Sequence, residues 1–177
     1  PKIEHQDLEY ADIWILENLN KLIFNSTEAF NAYSYAKARS HTDDFFWNKF
    51  TDLYLEMIKY RLNGEDEKSK NAAKWTLRVV ILNILKLYAP LMPYIAEEVY
   101  QYSFKNENTA VSIHVSSWPN EIEYKSEKEI NDFNSAIEAI NEIRKYKSEN
   151  NISLGKELEE YTLETKVNLE KYGEFIK

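Results

Sequence analysis

Apolar positions along the chain recur at helical spacing, interrupted by short polar breaks, until the texture changes near residue 110. Leu8, Ala11, Ile15, Leu19, Leu22 and Ala29 are three, four or seven residues apart, which places them on one helical face, widened by Trp14, Ile23 and Phe30. Asp7 stands where an N-cap is expected. Asn31-Ala-Tyr-Ser34 breaks the stripe, and Ser34 is suited to cap the next helix. A second helix presents Tyr35, Ala38, Phe46, Phe50, Leu53 and Met57 on one face. It should end at Asn63-Gly64, where glycine can take the left-handed C-cap conformation. After the polar run Glu65 to Lys68, Ser69 can cap a third helix through Trp75, Leu77, Val80, Ile81, Ile84, Leu85 and Leu87, stopped by Pro90. Pro93, in a position suited to a first helical turn, opens a shorter fourth helix to Phe104.

Residues 110–119 alternate and are β-branched, which predicts an extended arm or a short strand. Ser126-x-x-Glu129 has the spacing of a capping box and opens a fifth helix to about Ser148. A loop over residues 150–155, a strand from Leu158 to Thr165 and a helix from Val167 to Ile176 complete the pattern. The expected fold class is all-α, an antiparallel helix bundle over residues 1–149 that includes the extended arm. Residues 150–177 would begin a small mixed α/β appendage.

The segment FFWNKFTDLYLEMIKYRL, residues 45–62, carries more rings than a soluble helix surface needs. Phe46, Phe50, Leu53, Met57 and Tyr60 share a face, and Phe45, Trp47 and Tyr54 widen it. Burying such side chains is worth about 1.5–3 kcal/mol each, so core packing is favoured over base stacking by Phe46 or Phe50. The basic end of this segment reads differently. If helices two and three form an antiparallel hairpin, Lys59 and Arg61 share one end of the bundle with Lys68, Lys70 and Lys74, and Arg78 continues the face. These cations could form a phosphate-contacting footprint and are candidate RNA contacts, Arg78 a weaker one. Cations that merely complement the C-terminal dipole of helix two are the alternative. Arg144, Lys145 and Lys147 form a weaker candidate cluster at the end of helix five.

Composition narrows the chemistry. The 177 residues carry a net charge of −8, which argues against whole-surface binding to nucleic acid but leaves room for a local basic patch. No cysteine occurs, so thiol chemistry is absent and an intracellular, cytoplasmic home is the easier reading. No apolar run approaches the roughly 20 residues of a membrane helix. The glycines, Gly64, Gly155 and Gly173, are too scattered for a phosphate-cradling loop. His5, His41 and His114 lie far apart; His41 and Asp44, one turn apart, could share a metal, but a solvated helix face is the simpler reading. No catalytic or metal site is expected.

Several motifs, in order, resemble a known family. Phe46-Trp47-x-x-Phe50-x-Asp52-x-Tyr54-Leu55-Glu56-x-x-Lys59-x-Arg61-Leu62 resembles the second bundle helix of valyl-tRNA synthetases. Leu87-Tyr-Ala-Pro-Leu-Met-Pro-Tyr-Ile-Ala-Glu-Glu-Val-Tyr-Gln101 is similar to the Pro-Phe-Met-Pro-Phe segment and acidic helix of class I synthetases, with Tyr88 and Tyr100 where histidine and tryptophan are common. Ser112-Ile-His-Val-Ser-Ser-Trp-Pro119 resembles the arm that follows. Ile143 to Leu154 resembles the archaeal-type continuation, and Asp12-Ile13-Trp14-Ile-Leu-x-x-Leu19-Asn20 the opening. The resemblance implies the anticodon-binding helical domain of a valine–tRNA ligase, with tRNA(Val) and the parent's catalytic domain as partners. It implies that ATP and Mg are cofactors of the parent enzyme only and that this part alone is inactive. It also implies that Lys59, Tyr60 and Arg61 lie near the anticodon loop. The same domain of an isoleucyl or leucyl enzyme, and a helical protein-interaction module, are the competing readings.

Overall fold

A computed structural model describes residues 8–106, 109–124, 133–153, 156 and 172. Backbone contacts divide the chain into two units, Pro1–Glu127 and Lys128–Lys177. The boundary expected after residue 149 grouped the fifth helix with the bundle; the contacts group it with the residues that follow.

In the first unit, helix α1 spans Tyr10–Asn31, and its predicted stripe is buried from Leu8 through Ala29. Its first turn is capped by Asp12, whose carboxylate accepts the Glu9 backbone N–H at 3.0 Å. The helix stops in a Schellman turn: Ser34 N–H bonds to the Ala29 carbonyl, Tyr33 N–H bonds to the Phe30 carbonyl, and Tyr33 takes a positive φ of 55°.

The predicted second helix is one continuous rod in three pieces. These are α2 (Tyr35–Asp44), a π-helical segment (Phe45–Tyr54) and α3 (Leu55–Asn63). Ser34 sets the start through its backbone carbonyl, with no side-chain cap bond. The π turn, with bonds such as Leu55 N–H to the Phe50 carbonyl, changes which rings face inward. Residues five apart on an α-helix would point about 140° away from one another. Here Phe45 and Phe50, five apart, are both buried, and Tyr54 stacks under Phe50 at 6.2 Å. Phe46, expected on the core face, is half-buried, and Trp47, expected to widen that face, is 60% exposed. From α3 onward the inward face runs through Met57, Ile58 and Arg61, leaving Tyr60 partly exposed.

Gly64 corrects a second expectation. It ends α3 in an extended conformation (φ −75°, ψ 174°), not a left-handed one. A Cβ there would lie 3.0 Å from the Tyr60 carbonyl oxygen, so the close backbone approach, not backbone handedness, is what a side chain would disturb.

Helix α4 spans Glu67–Tyr88. Asp66, not Ser69, is its N-cap: Oδ1 accepts the backbone N–H groups of Lys68 (2.9 Å) and Ser69 (3.2 Å). α4 packs on α1, α2, α3 and α5. At its far end Tyr88 donates to Asp43 at 2.6 Å and meets the Phe46 ring edge-on. Helix α5 (Pro93–Ser103) begins with Pro93, as expected, and encloses a second small core of Ala89, Ala96, Tyr100, Phe104 and Ile113 against Ile81, Leu82 and Leu85.

Residues 110–119 are irregular around one 3-10 turn (Ile113–Val115), and no strand occurs among the described residues. The alternation there serves side-chain acceptors and donors instead of a neighbouring strand. Tyr100 and Gln101 donate to the Ala110 and Val111 carbonyls at 2.8 and 2.7 Å, and Glu97 accepts Ser112 Oγ–H and Ile113 N–H at 2.8 and 3.0 Å. Trp118 then anchors the arm on α1, donating to Thr27 at 2.9 Å and packing edge-on against Phe30. Asn20 closes the strap by pairing with both backbone groups of Ile122.

In the second unit, helix α6 spans Phe133–Glu149 and ends in a Schellman turn with Asn151 at φ 54°. Phe133 is buried edge-on against Tyr172 at 5.1 Å. The expected Ser126–Glu129 capping box, the strand from Leu158 and the helix from Val167 lie outside the described residues.

Candidate nucleic-acid interface

The end of the bundle where α3 stops and α4 starts carries most of the candidate contacts. Only Gly64, Glu65 and Asp66 separate the two helices. Lys59 is outward, its side chain 62% exposed, with Nζ 2.6 and 2.7 Å from the two carboxylate oxygens of Glu56. Tyr60 is partly exposed, and its hydroxyl reaches Glu9 Oε2 at 3.3 Å. Lys68 and Lys74 are exposed on α4. Lys70 is largely covered and pairs with Glu67 at 3.2 Å.

Arg61 departs from expectation. Its guanidinium is turned inward with a side-chain exposure of 0%, so it does not project from the tip. Nη2 donates to Asp12 Oδ2 at 2.8 Å and to the Ser69 carbonyl at 2.9 Å; Nε donates to Ser69 Oγ at 2.8 Å and lies 3.2 Å from Glu9 Oε1. Burial disfavours the charge, but the Asp12 hydrogen bond and the charges of Asp12 and Glu9 outweigh it and hold the group above its ordinary pKa. Asp12 is itself fully buried and satisfied by three donors: Arg61, the Tyr54 hydroxyl at 2.7 Å and the Glu9 N–H. The reason is phase. Arg61 lies one turn beyond Met57 on the buried face, so its side chain enters the core and requires a carboxylate there.

The remaining candidates separate. Arg78 lies two turns beyond Lys70, its guanidinium 4.9 Å over the Phe104 ring and donating to the Ser103 carbonyl at 3.3 Å. Arg144, Lys145 and Lys147 belong to α6 in the other unit, where Lys147 Nζ donates to the Lys156 carbonyl at 2.7 Å. The structure thus brings Lys59, Tyr60, Lys68 and Lys70 to one end of the first unit, with Lys74 a turn behind; the α6 cluster belongs to the second unit. Residues 56–74 hold five basic and four acidic side chains, and with Arg61 internal the outer balance is even. Specific contacts, not bulk attraction, would have to hold a ligand there.

Sequence reasoning missed Glu9, Asp12, Tyr54 and Ser69 as parts of this site. One signal was available: Asp12 is an acid inside the apolar stripe of α1, flanked by Ala11, Ile13 and Trp14. Among the described residues no group of three or more metal-ligating side chains comes together, and no helix is long and apolar enough to cross a membrane.

The geometry defines a class: a helical domain, without strands among the described residues, that braces one end of its first unit from within and carries lysines on the outside of that end. Residues 12–162 match the family described as the anticodon-binding domain of tRNA ligase. The chain is 36% identical over 166 residues to the valine–tRNA ligase of Thermococcus kodakarensis, covering 93% of this chain and 19% of that protein. It is 39% identical over 153 residues to the valine–tRNA ligase of Clostridium acetobutylicum, covering 84% and 17%, respectively. The chain therefore belongs to the anticodon-binding domain family of tRNA ligases. It spans less than a fifth of the length of these relatives.

Proposed function

We propose that this chain is the part of a valine–tRNA ligase that grips the anticodon stem and loop of tRNA(Val), so that a catalytic domain elsewhere in the parent enzyme can attach valine. The identity to valine–tRNA ligases along 93% of the chain carries this reading. The first unit is read as an antiparallel bundle, supported by α4 meeting the rod at Ser69–Arg61 at one end and at Tyr88–Asp43 at the other. Residues beyond α6 are read as the start of a small α/β appendage. Lys59, Tyr60, Lys68, Lys70 and Lys74 are the RNA-facing side chains, and Arg61 stands behind them. ATP and magnesium belong to the parent's catalytic domain, and the setting is the cytoplasm. On its own the chain activates no amino acid.

A titration with tRNA at two salt concentrations tests the reading, because phosphate contacts weaken as salt rises. Salt-dependent binding that prefers a valine over an isoleucine anticodon, and that Lys68→Glu and Lys74→Glu weaken, is expected. Binding unaffected by either reversal would remove the tip from the interface. Equal affinity for both anticodons would remove the assignment to valine. Pyrophosphate exchange by the purified chain with valine and ATP would overturn its assignment as a non-catalytic part.

A further inference from the structure

We infer that Arg61 is a positioning residue for tRNA binding: from inside the bundle it fixes the α3–α4 connection, and with it the outward side chains of Lys59, Tyr60 and Lys68. The inference rests on the reading of this tip as the tRNA-facing surface.

Three helix ends meet on one guanidinium. Arg61 closes α3, Ser69 opens α4, and Glu9 with Asp12 opens α1. Each inward anchor has an outward neighbour along the chain: Tyr60 precedes Arg61, and Lys68 precedes Ser69. On a helix, fixing one residue fixes the direction of the next. The Tyr60 hydroxyl and Ser69 Oγ also reach the two oxygens of the same Glu9 carboxylate, so the outer ring is tied into the same network.

The arrangement needs arginine. One planar fork addresses Asp12, the Ser69 carbonyl and the Ser69 hydroxyl together. A lysine ammonium is a point charge that cannot reproduce that spread of donors. Arg61 also supplies positive charge beside two carboxylates, Glu9 and Asp12, that would otherwise lie uncompensated behind a phosphate-facing surface. Because the outer charges of the tip already balance, two further uncompensated acids there would act directly against RNA.

The test separates geometry from charge in the whole chain, using as probe an unmodified tRNA transcript with a valine anticodon. Arg61→Lys keeps the charge and loses the fork; Ser69→Ala keeps the Arg61–Asp12 ion pair and removes the hydroxyl that accepts from Arg61 and donates to Glu9. Affinities are read well below each variant's melting temperature, alongside amide exchange over residues 62–69. Both variants are expected to bind about three- to tenfold more weakly, the size of one hydrogen bond, with faster exchange at the tip. If both stay folded and bind as wild type while Lys68→Glu binds weakly, positioning by Arg61 is overturned and the tip reading survives. If Lys68→Glu and Lys74→Glu also bind as wild type, the tip reading falls and this inference falls with it. Should Arg61→Lys fail to fold, Ser69→Ala decides alone.

Discussion

The Tyr54 hydroxyl donates to Asp12 Oδ1 at 2.7 Å in a place where both side chains are fully buried. Burial first, and then the negative charge of Asp12, push the phenol well above its ordinary pKa, so it remains a donor at any working pH. Tyr54→Phe would leave Asp12 with two donors in place of three. The expected loss is about 1–3 kcal/mol, seen as a lower denaturant midpoint with an unchanged slope. A midpoint equal to wild type would show that Arg61 and the Glu9 N–H suffice for Asp12.

Charge reversal at Arg61 has a different expected readout from reversal at a surface lysine. Arg61→Glu would place a third carboxylate beside Asp12 and Glu9, and breaking a buried pair costs about 3–5 kcal/mol. Lys68→Glu, on an exposed position, should shift stability by no more than about 0.5 kcal/mol. Thermal melts of the two variants check this. A small effect of Arg61→Glu on melting would mean that the guanidinium faces solvent.

Much of the first unit was legible because its helices obey simple periodicity. The α1 stripe from Leu8 to Ala29 and the start of α5 at Pro93 required only spacing and one fixed φ. At Phe46, α-helical pitch places the ring on the core face, whereas the wider π-helical segment leaves it half-buried against Phe50 and Tyr88, a change no local spacing rule announces. Charge together with the family resemblance points Arg61 outward, but its phase, one turn past Met57, puts it inside. Serine's preference for caps points to Ser69, but Asp66 stands three residues earlier and accepts the backbone N–H groups of Lys68 and Ser69 itself.

The π segment separates the contributions of its rings. Phe50 is 4% exposed between Phe46 and Tyr54, so Phe50→Ala should cost about 3–5 kcal/mol. Trp47, largely exposed, should cost less than half of that on replacement by alanine. Denaturation midpoints of the two variants test the order, and a reversed order would contradict the inward face described above.

The arm has an acid-sensitive attachment. Hydrogen bonds from Gln101 and then Ser112, with the Ile113 N–H, hold the Glu97 carboxyl below its usual range, while desolvation opposes them. The folded value is the lower one, so this contribution is fully present above the unfolded value of about 4.3 and is lost as pH falls through the folded one. The Ile113 amide resonance should therefore titrate with a midpoint below about 4.3 and stop titrating in Glu97→Gln. A midpoint above that value would mean that the carboxylate is not stabilised by the arm.

Gly64 offers a test in which two effects have opposite signs. Replacing glycine by alanine at an ordinary φ normally stabilises a fold by about 0.4–1 kcal/mol, because the unfolded chain loses freedom. The φ of −75° at Gly64 is ordinary, so backbone conformation alone predicts a gain. The added Cβ, however, would lie 3.0 Å from the Tyr60 carbonyl oxygen, a backbone atom in the last turn of α3. That oxygen can retreat only by moving the turn that carries Tyr60 and Arg61, and Arg61 is held by Asp12 and Ser69. The contact should therefore win, and Gly64→Ala should melt lower than wild type by the equivalent of about 1 kcal/mol. A variant that melts higher would show that the end of α3 yields freely, and the rigid brace at Arg61 would have to be abandoned.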